Sequence, residues 1–113
     1  MGLFSRVHAD LETPCQTCGA VSTRVIQFKF GDCRLRDYRI GVELRWEANV
    51  VGAPGHRRVL VSGHPEPCLE CRVDDDCLYE VDIRGDRIVG VRPVGNAGQE
   101  LTLFGPEGYR TED

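Results

Sequence analysis

Two stretches of the chain alternate apolar and polar residues with the period of two that is typical of half-buried β-strands. The first covers residues 25–30, and the second covers residues 38–47. The apolar positions of the second stretch are Ile40, Val42, Leu44 and Trp46. The parity of the apolar residues changes near Arg36-Asp37, and a regular strand cannot change parity, so a turn or bulge is expected there.

The remaining apolar runs also predict strands. Residues 59–61 form a short one, and residues 77–84 and 87–94 form a hairpin across a two-residue Gly-Asp turn. No apolar residues recur convincingly at helical spacing, so the sequence predicts a mostly β fold with at most one short helix. We expect one domain over residues 1–94 and a loosely held C-terminal tail over residues 95–113, with a clip formed by Leu101, Leu103 and Phe104.

Length, hydropathy and net charge limit the compartment and the kind of partner that we expect for this protein. The 113 residues suit a single domain, and no apolar run approaches the length of a membrane span. The N-terminus reaches the charged Arg6 too early for a signal peptide, so we expect a cytoplasmic protein without a membrane partner. Lys29 is the single lysine among 14 basic residues, which is typical of a GC-rich bacterial genome. The net charge of −4 argues against nucleic acid as the main partner and favours a protein or small molecule.

Four of the six cysteines form two Cys-x-x-Cys pairs, separated by 49 residues. Zinc prefers four soft ligands in a tetrahedron, and a two-residue gap lets one tight turn present two sulfurs to one ion. We therefore expect one structural Zn²⁺ on Cys15, Cys18, Cys68 and Cys71. Gly19 after the first pair suits the positive φ at which the chain leaves such a turn. Arg72 takes the corresponding place in the second pair, so its turn is expected to end differently.

The other cysteines and histidines offer weaker candidates for chemistry. Cys33 and Cys77 stand alone and are interpreted as small buried residues. His64 lies four residues before Cys68 and is the histidine placed to substitute for a thiolate ligand. The sequence contains no nucleophile–base constellation, and four cysteines would close the zinc shell. A zinc or thiol enzyme that uses Cys33, Cys77 and His64 is therefore a secondary alternative.

Several local patterns occur together along residues 1–94: the opening Met-Gly-Leu-Phe, the Cys-Gly at 18–19, the Gln-Phe-Lys-Phe at 27–30, the Cys-Arg-Leu-Arg-Asp-Tyr at 33–38, the second Cys-x-x-Cys and the closing hairpin. In this combination the chain resembles a group of small bacterial and phage zinc-ribbon proteins. The similarity covers residues 1–94. It implies zinc binding and a ribbon-like antiparallel sheet with two zinc knuckles, and it implies no activity.

Two functions follow from these features. The first is a protein-interaction, adaptor or regulatory module that is stabilised by zinc and binds another, unidentified protein. The second is a nucleic-acid-associated zinc ribbon whose basic residues are Arg34, Arg36, Arg39 and Arg45. Neighbouring acidic residues and the net charge favour the first.

Overall fold

The computed structural model describes residues 4–10, 14–15, 17–21, 23–33, 35–47, 50–74 and 76–112. Most of the regular structure in these ranges is β-strand, as predicted. The strands are β1 (Ser5–Asp10), β2 (Thr23–Phe28), β3 (Gly31–Asp32), β4 (Asp37–Arg39), β5 (Val50–Val51), β6 (Arg58–Pro65), β7 (Cys77–Arg84), β8 (Arg87–Asn96) and β9 (Tyr109–Glu112). A 3₁₀ turn over Ala97–Gln99 leads into one short helix, α1 (Glu100–Phe104). None of the helical structure in the described ranges is both long enough and apolar enough to cross a bilayer.

Seven of the strands form one sheet, in the order β4-β1-β2-β6-β7-β8. Neighbours pair antiparallel, except that β1 and β4 run parallel. Strand β6 has two partners along one edge, because its first half pairs with β9 and its second half pairs with β2. The β2–β6 contact comprises only three residue pairs, from Ile26↔Pro65 to Phe28↔Gly63. This short junction joins the β1–β2 hairpin to the β6–β7 hairpin.

One face of the sheet carries the main core. Period-two alternation brings Val7, Phe28, Val61, Val81 and Ile83 to this face, where each is almost fully buried. Aromatic contacts extend the core at one end, where the ring of Phe30 lies 5.4 Å from Trp46 and 5.0 Å from Tyr109. Each fully buried side chain of this size contributes about 1.5–3 kcal/mol relative to an exposed one, so this face dominates the stability.

A smaller apolar cluster lies on the opposite face. It consists of Leu60 from β6, Leu78 from β7 and Phe104 from α1. The residues 95–113, for which the sequence predicts a loosely held tail, include both α1 and β9. The β9 strand pairs with residues 58–61 of β6, so backbone hydrogen bonds as well as apolar contacts attach this segment to the sheet.

The predicted strand over residues 38–47 is wrong beyond its first residues. Strand β4 ends at Arg39, and Gly41 has a φ of 98°, which turns the chain away from β1. The chain then crosses to the other edge of the sheet, where Gly41 N–H donates to Ile88 O and Ile88 N–H donates to Val42 O. Ile40 and Val42 are each 44% exposed as a result. The segment therefore links the two edges of the sheet instead of forming a strand with one buried face.

The predicted C-terminal hairpin is confirmed. Strands β7 and β8 pair from Cys77↔Asn96 to Arg84↔Arg87. Both residues of the turn have positive φ, 56° at Gly85 and 64° at Asp86, as a type I′ turn requires. The expected short strand at 59–61 is also present, and it extends to eight residues as β6.

Candidate metal centre

The two Cys-x-x-Cys knuckles lie at the same end of the sheet. The first follows β1 and precedes β2, and the second connects β6 to β7. Because β2 pairs with β6, the loops of the two hairpins are neighbours in space even though 49 residues separate Cys18 from Cys68 in sequence. The sheet thus brings together four cysteines that come from two distant parts of the chain.

The four sulfur atoms have the spacing of a tetrahedral site. The Sγ atoms of Cys15 and Cys71 are 3.8 Å apart, as are those of Cys18 and Cys68. All four lie within 4.8 Å of one another. A tetrahedron with metal–sulfur bonds of about 2.3 Å has edges of about 3.8 Å. A disulfide would need a sulfur separation of about 2.05 Å, so the cluster has the geometry of a metal site. The four cysteines are positioned to hold one metal ion.

The first knuckle is a tight turn closed by two backbone hydrogen bonds. Gly19 N–H donates to Cys15 O at 2.8 Å, and Cys15 N–H donates to Ala20 O at 2.9 Å. Gly19 has a φ of 74°, the left-handed conformation that glycine adopts at little cost. Inside the turn, Thr17 N–H donates to Cys15 Sγ at 3.4 Å. The backbone therefore fixes the position of the first ligand sulfur.

The second knuckle repeats this geometry. Arg72 N–H donates to Cys68 O at 2.8 Å, and Cys68 N–H donates to Val73 O at 3.3 Å. Arg72 has a φ of 61°, so it occupies the left-handed region in the place of glycine. The expectation that this turn ends differently is wrong. An arginine can adopt this conformation at a cost of about 1–2 kcal/mol, which the surrounding hydrogen bonds must offset.

The environment of the turns also shifts the pKa values of Cys15, Cys18 and Cys68. Backbone N–H groups of Cys18 and Thr17 point at the Cys15 sulfur and lower its pKa to about 6. The pKa of Cys68 is likewise lowered, by the N–H groups of Cys71 and Glu70. N–H groups stabilise a thiolate because they place partial positive charge beside it.

The pKa of Cys18 shifts in the direction opposite to those of Cys15 and Cys68. The Ala20 N–H lowers its pKa, but loss of hydration and the adjacent thiols of Cys15, Cys71 and Cys68 together raise it to about 11. Adjacent sulfurs cannot all ionise without a compensating cation. A divalent metal ion supplies that charge, so the donor set fits a metal as well as the spacing does.

The metal centre is partly shielded from solvent. Cys68 is 1% exposed and Cys15 is 8% exposed, whereas Cys71 is half-buried and Cys18 is exposed. Four protein sulfurs complete a tetrahedral shell and leave no coordination position for a substrate. This arrangement is typical of a structural site.

The structure places the secondary candidates elsewhere. Cys33 is buried, and its Sγ lies 3.6 Å from Gly31 O. Burial raises the pKa of Cys33, as expected for a packed thiol. Cys77 is half-buried at the start of β7. His64 contacts the carboxylate of Glu100. Within the described residues, the metal-type cluster contains none of these three side chains.

Among the described residues, the arginines proposed for nucleic acid do not form a free patch. Arg34 lies outside the described residues. Arg36 contacts the carboxylates of Asp32 and Glu47, with N···O distances of 3.2 and 2.6 Å. Arg45 lies 3.9 Å from the same glutamate, and Arg39 is exposed on β4.

Two features of the structure were not predicted from the sequence. One is the left-handed Arg72, which no local sequence signal reveals. The other is a cleft on the opposite face of the sheet, in which Ser62, His64 and Glu100 meet. Ser62 and His64 are two residues apart on β6, and this spacing could have shown that both side chains lie on the same face of the sheet.

Comparison with known protein families, with curated proteins and with solved structures finds no match to this chain.

Proposed function

We propose that the chain is a zinc protein in which a structural Zn²⁺ binds the four cysteine sulfurs. The observation that carries this proposal is the sulfur spacing of 3.8 Å, which equals the edge of a zinc–thiolate tetrahedron. The low pKa of Cys15 supports it, because a thiolate must form before a metal binds. None of the six cysteines forms a disulfide, which favours a reducing compartment such as the cytoplasm.

The role of the zinc domain is proposed to be protein binding. Three exposed apolar residues lie on the two knuckles: Val21 follows the first, while Leu69 and Val73 belong to the second. Exposed apolar residues that cluster on one end of a domain favour a contact surface. We call these three residues the knuckle patch. Because both knuckles depend on the same ion, the metal would also shape this surface.

Charge indicates the chemistry of the partner. The second knuckle and the segment after it carry exposed Glu70, Asp74 and Asp76 against one exposed arginine, Arg72. An acidic rim around an apolar centre complements a protein surface with apolar side chains and a basic rim. The same charges repel phosphates, which argues against nucleic acid as the partner of this end.

Neither alternative has comparable support. The nucleic-acid hypothesis depends on arginines of which Arg36 already binds two carboxylates. An enzyme would need an open metal position or a reactive thiol, and the four-cysteine shell provides neither.

Metal analysis tests the first part of the proposal. Protein purified without added metal should contain about one zinc per chain, since four thiolates satisfy one tetrahedral ion. Iron in place of zinc would overturn the identity of the metal, because tetrahedral four-sulfur sites also accept iron. Two metals per chain, or none with all thiols reactive, would overturn the site itself.

Affinity capture tests the second part. The zinc-loaded protein and a Leu69→Gln/Val73→Gln double variant are compared as baits in a native lysate, with Val89→Gln as a control at an equally exposed residue of β8. A specific partner should be retained by the parent and the control and lost by the double variant. Equal capture by all three baits would exclude the knuckle patch as the contact surface.

A further inference from the structure

A second candidate site lies on the face of the sheet opposite the main core. It is a cleft of about 360 Å³, bordered by β2, β6, α1 and the loop 105–108. Binding sites for small molecules begin at about 300 Å³, so the cleft is large enough for a small organic ligand. Its polar groups include Lys29, Ser62, His64 and Glu100.

The Glu100 carboxylate is held in place by two side chains of β6. Ser62 Oγ donates to Glu100 Oε2 at 2.8 Å, and His64 Nε2 contacts the same oxygen. Burial raises the pKa of Glu100, but the hydrogen bonds from Ser62 and His64 outweigh it and hold the pKa below its ordinary value. Glu100 is therefore ionised at neutral pH. Among the described side chains, none donates a hydrogen bond to the other carboxylate oxygen, Oε1, which can accept one from a ligand.

The arrangement favours binding over catalysis. A nucleophilic serine passes its proton to a histidine, and a carboxylate orients that histidine. Here the Ser62 hydroxyl donates directly to Glu100, so the carboxylate lies between the serine and the histidine. A carboxylate with a lowered pKa is also a poor general base at neutral pH.

A positive charge faces the same cleft from the next strand. Strand β2 ends at Phe28, which pairs with Gly63 of β6, and the following residue, Lys29, lines the cleft. Lys29 also contributes to the low pKa of Glu100, which shows that the two charges share one electrostatic environment. Among the described residues, no ion pair within 4.0 Å joins Lys29 to a carboxylate. The cleft thus presents the ammonium of Lys29 together with the carboxylates of Glu100 and Glu107, of which the Glu100 carboxylate is held by Ser62 and His64.

Apolar groups complete the cleft. Phe4, Leu101 and Pro106 contribute to its walls, and Leu101 is 68% exposed. Leu101 is the most exposed of the large apolar side chains on the described surface, and its neighbour Glu100 is fixed by hydrogen bonds. An apolar group of a ligand would remove Leu101 from water.

We propose that this cleft binds a small zwitterion of the α-amino acid type with an apolar side chain. The ligand ammonium contacts the carboxylate of Glu100, its carboxylate contacts the ammonium of Lys29, and its side chain packs against Leu101 and Phe4. The opposite charges of Lys29 and Glu100 in one cleft and the exposed apolar wall beside them together define this ligand class. The inference does not depend on the metal centre.

Calorimetric titration of the zinc-loaded full chain tests the ligand class. L-phenylalanine carries both charges, phenethylamine lacks the carboxylate and 3-phenylpropionate lacks the ammonium. L-phenylalanine should bind, and each analogue should bind about tenfold more weakly, the fold-change that corresponds to about 1.4 kcal/mol. If phenethylamine binds as tightly as L-phenylalanine, the cleft is a simple cation site. If L-phenylalanine gives no saturable heat at millimolar concentrations, the cleft does not bind this ligand class. Either result overturns the proposal.

Variants test the assigned residues. Glu100→Gln and Lys29→Met should each weaken L-phenylalanine about tenfold, since each removes one charged contact. Lys29→Met should also abolish the advantage of L-phenylalanine over phenethylamine. Glu43→Gln, at an exposed position beside β8, is the control and should bind as the parent does. Metal content and melting temperature are measured for all variants. If Glu100→Gln does not fold, Lys29→Met alone decides, because an unchanged affinity in that variant contradicts the proposal.

Discussion

Gly19 and Arg72 occupy equivalent positions in the two metal knuckles, with φ values of 74° and 61°. Each donates its backbone N–H at 2.8 Å to the carbonyl oxygen of the first cysteine of its knuckle, Cys15 or Cys68. The same turn is therefore built once with a glycine and once with an arginine. Only glycine reaches this region without a steric penalty, so the two halves of the site differ in backbone strain.

This difference predicts opposite responses to matched substitutions. Gly19→Ala should lower the free energy of unfolding by about 1 kcal/mol, because alanine pays the left-handed penalty. A Cβ at Gly19 meets no heavy atom within 4 Å, so the loss is purely conformational. Arg72→Ala should be nearly neutral, and Arg72→Gly should be neutral or stabilising by less than about 1 kcal/mol.

Chemical denaturation of the zinc-loaded variants measures these effects. The parent and Arg72→Ala should unfold at nearly the same denaturant concentration, and Gly19→Ala should unfold earlier. If Gly19→Ala and Arg72→Ala lower the free energy of unfolding equally, then the arginine side chain, and not the backbone conformation, contributes to stability at position 72.

The metal centre could be predicted from the sequence because ligand spacing is a local property. Two sulfurs two residues apart, such as Cys15 and Cys18, can face one ion whatever the rest of the chain does. The hairpin across Gly85-Asp86 was predictable for the same reason, since the turn residues and flanking alternation are contiguous.

The segment after β4 could not be predicted in this way. Its alternation of Ile40, Val42, Leu44 and Trp46 fits a strand, but the hydrogen bonds to Ile88 direct it across to the far edge of the sheet. Periodicity does not reveal which distant strand a segment meets. The pairing of β9 with β6 depends on a similarly long-range choice, and so does the approach of Glu100 to Ser62.

The lowered pKa values of Cys15 and Cys68 give a second prediction, which concerns the metal-free protein. The folded-state pKa of Cys15, about 6, lies below its ordinary value of 9.0. The stabilisation from this depressed pKa is fully present above the ordinary value, and it is lost as the pH falls through about 6. The pKa of Cys68 is also lowered. The melting temperature of the metal-free protein should therefore rise as the pH increases from about 6 to about 9.

The raised pKa of Cys18 sets an upper limit to this rise. Its contribution is present below the ordinary value of 9.0 and is lost as the pH increases toward about 11. Thermal melts in a series of buffers, with the thiolate absorbance followed in parallel, measure both effects. Cys15→Ser should remove the thiolate that forms near pH 6, whereas Cys33→Ser should retain it. A thiolate signal near pH 6 that has the same amplitude in Cys15→Ser as in the parent would contradict the assignment, because Cys68 alone can account for only part of it.

A third prediction concerns Arg36, which pairs with the fully buried Asp32 at 3.2 Å. Arg36→Gln should lower the free energy of unfolding by about 2 kcal/mol, because it removes a charged hydrogen-bond donor from a buried carboxylate. Arg39→Gln removes an exposed arginine from β4 and should change the stability by no more than about 0.5 kcal/mol.

Nucleic-acid binding distinguishes a structural from a functional role for these arginines. If they served phosphate contacts, each substitution would weaken binding to single- or double-stranded DNA and reduce its salt dependence. We expect no salt-dependent DNA binding by the parent protein in a filter assay at two salt concentrations. Affinity that falls steeply with salt and decreases further in Arg39→Gln would favour the zinc-ribbon alternative that binds nucleic acid.

The last prediction concerns the dependence of the fold on its metal. The β1–β2 and β6–β7 hairpins meet through only three residue pairs of β2 and β6, next to the knuckles. A metal ion shared by Cys15 and Cys68 ties the hairpins together at that junction and limits the unfolded chain across a long loop. Losing it should remove several kcal/mol, which is a large part of the stability of a domain of this size. Cys15→Ser, Cys68→Ser and chelation of the parent should each lower the melting temperature strongly, with a transition that remains cooperative.

Circular dichroism melts with and without chelator measure this dependence, and Cys33→Ser is the matched control. That variant makes the same chemical change at a buried cysteine outside the metal cluster, so it should keep about one metal per chain and should still respond to chelator. Loss of metal in Cys33→Ser would show that the ligand set is wrong. A melting curve that chelation leaves unchanged would contradict the structural role of the metal, because the hairpins would then hold together through β2–β6 pairing and the core alone. The metal would in that case be retained for a chemical function, and the exposed Cys18 would be the ligand at which to look for it.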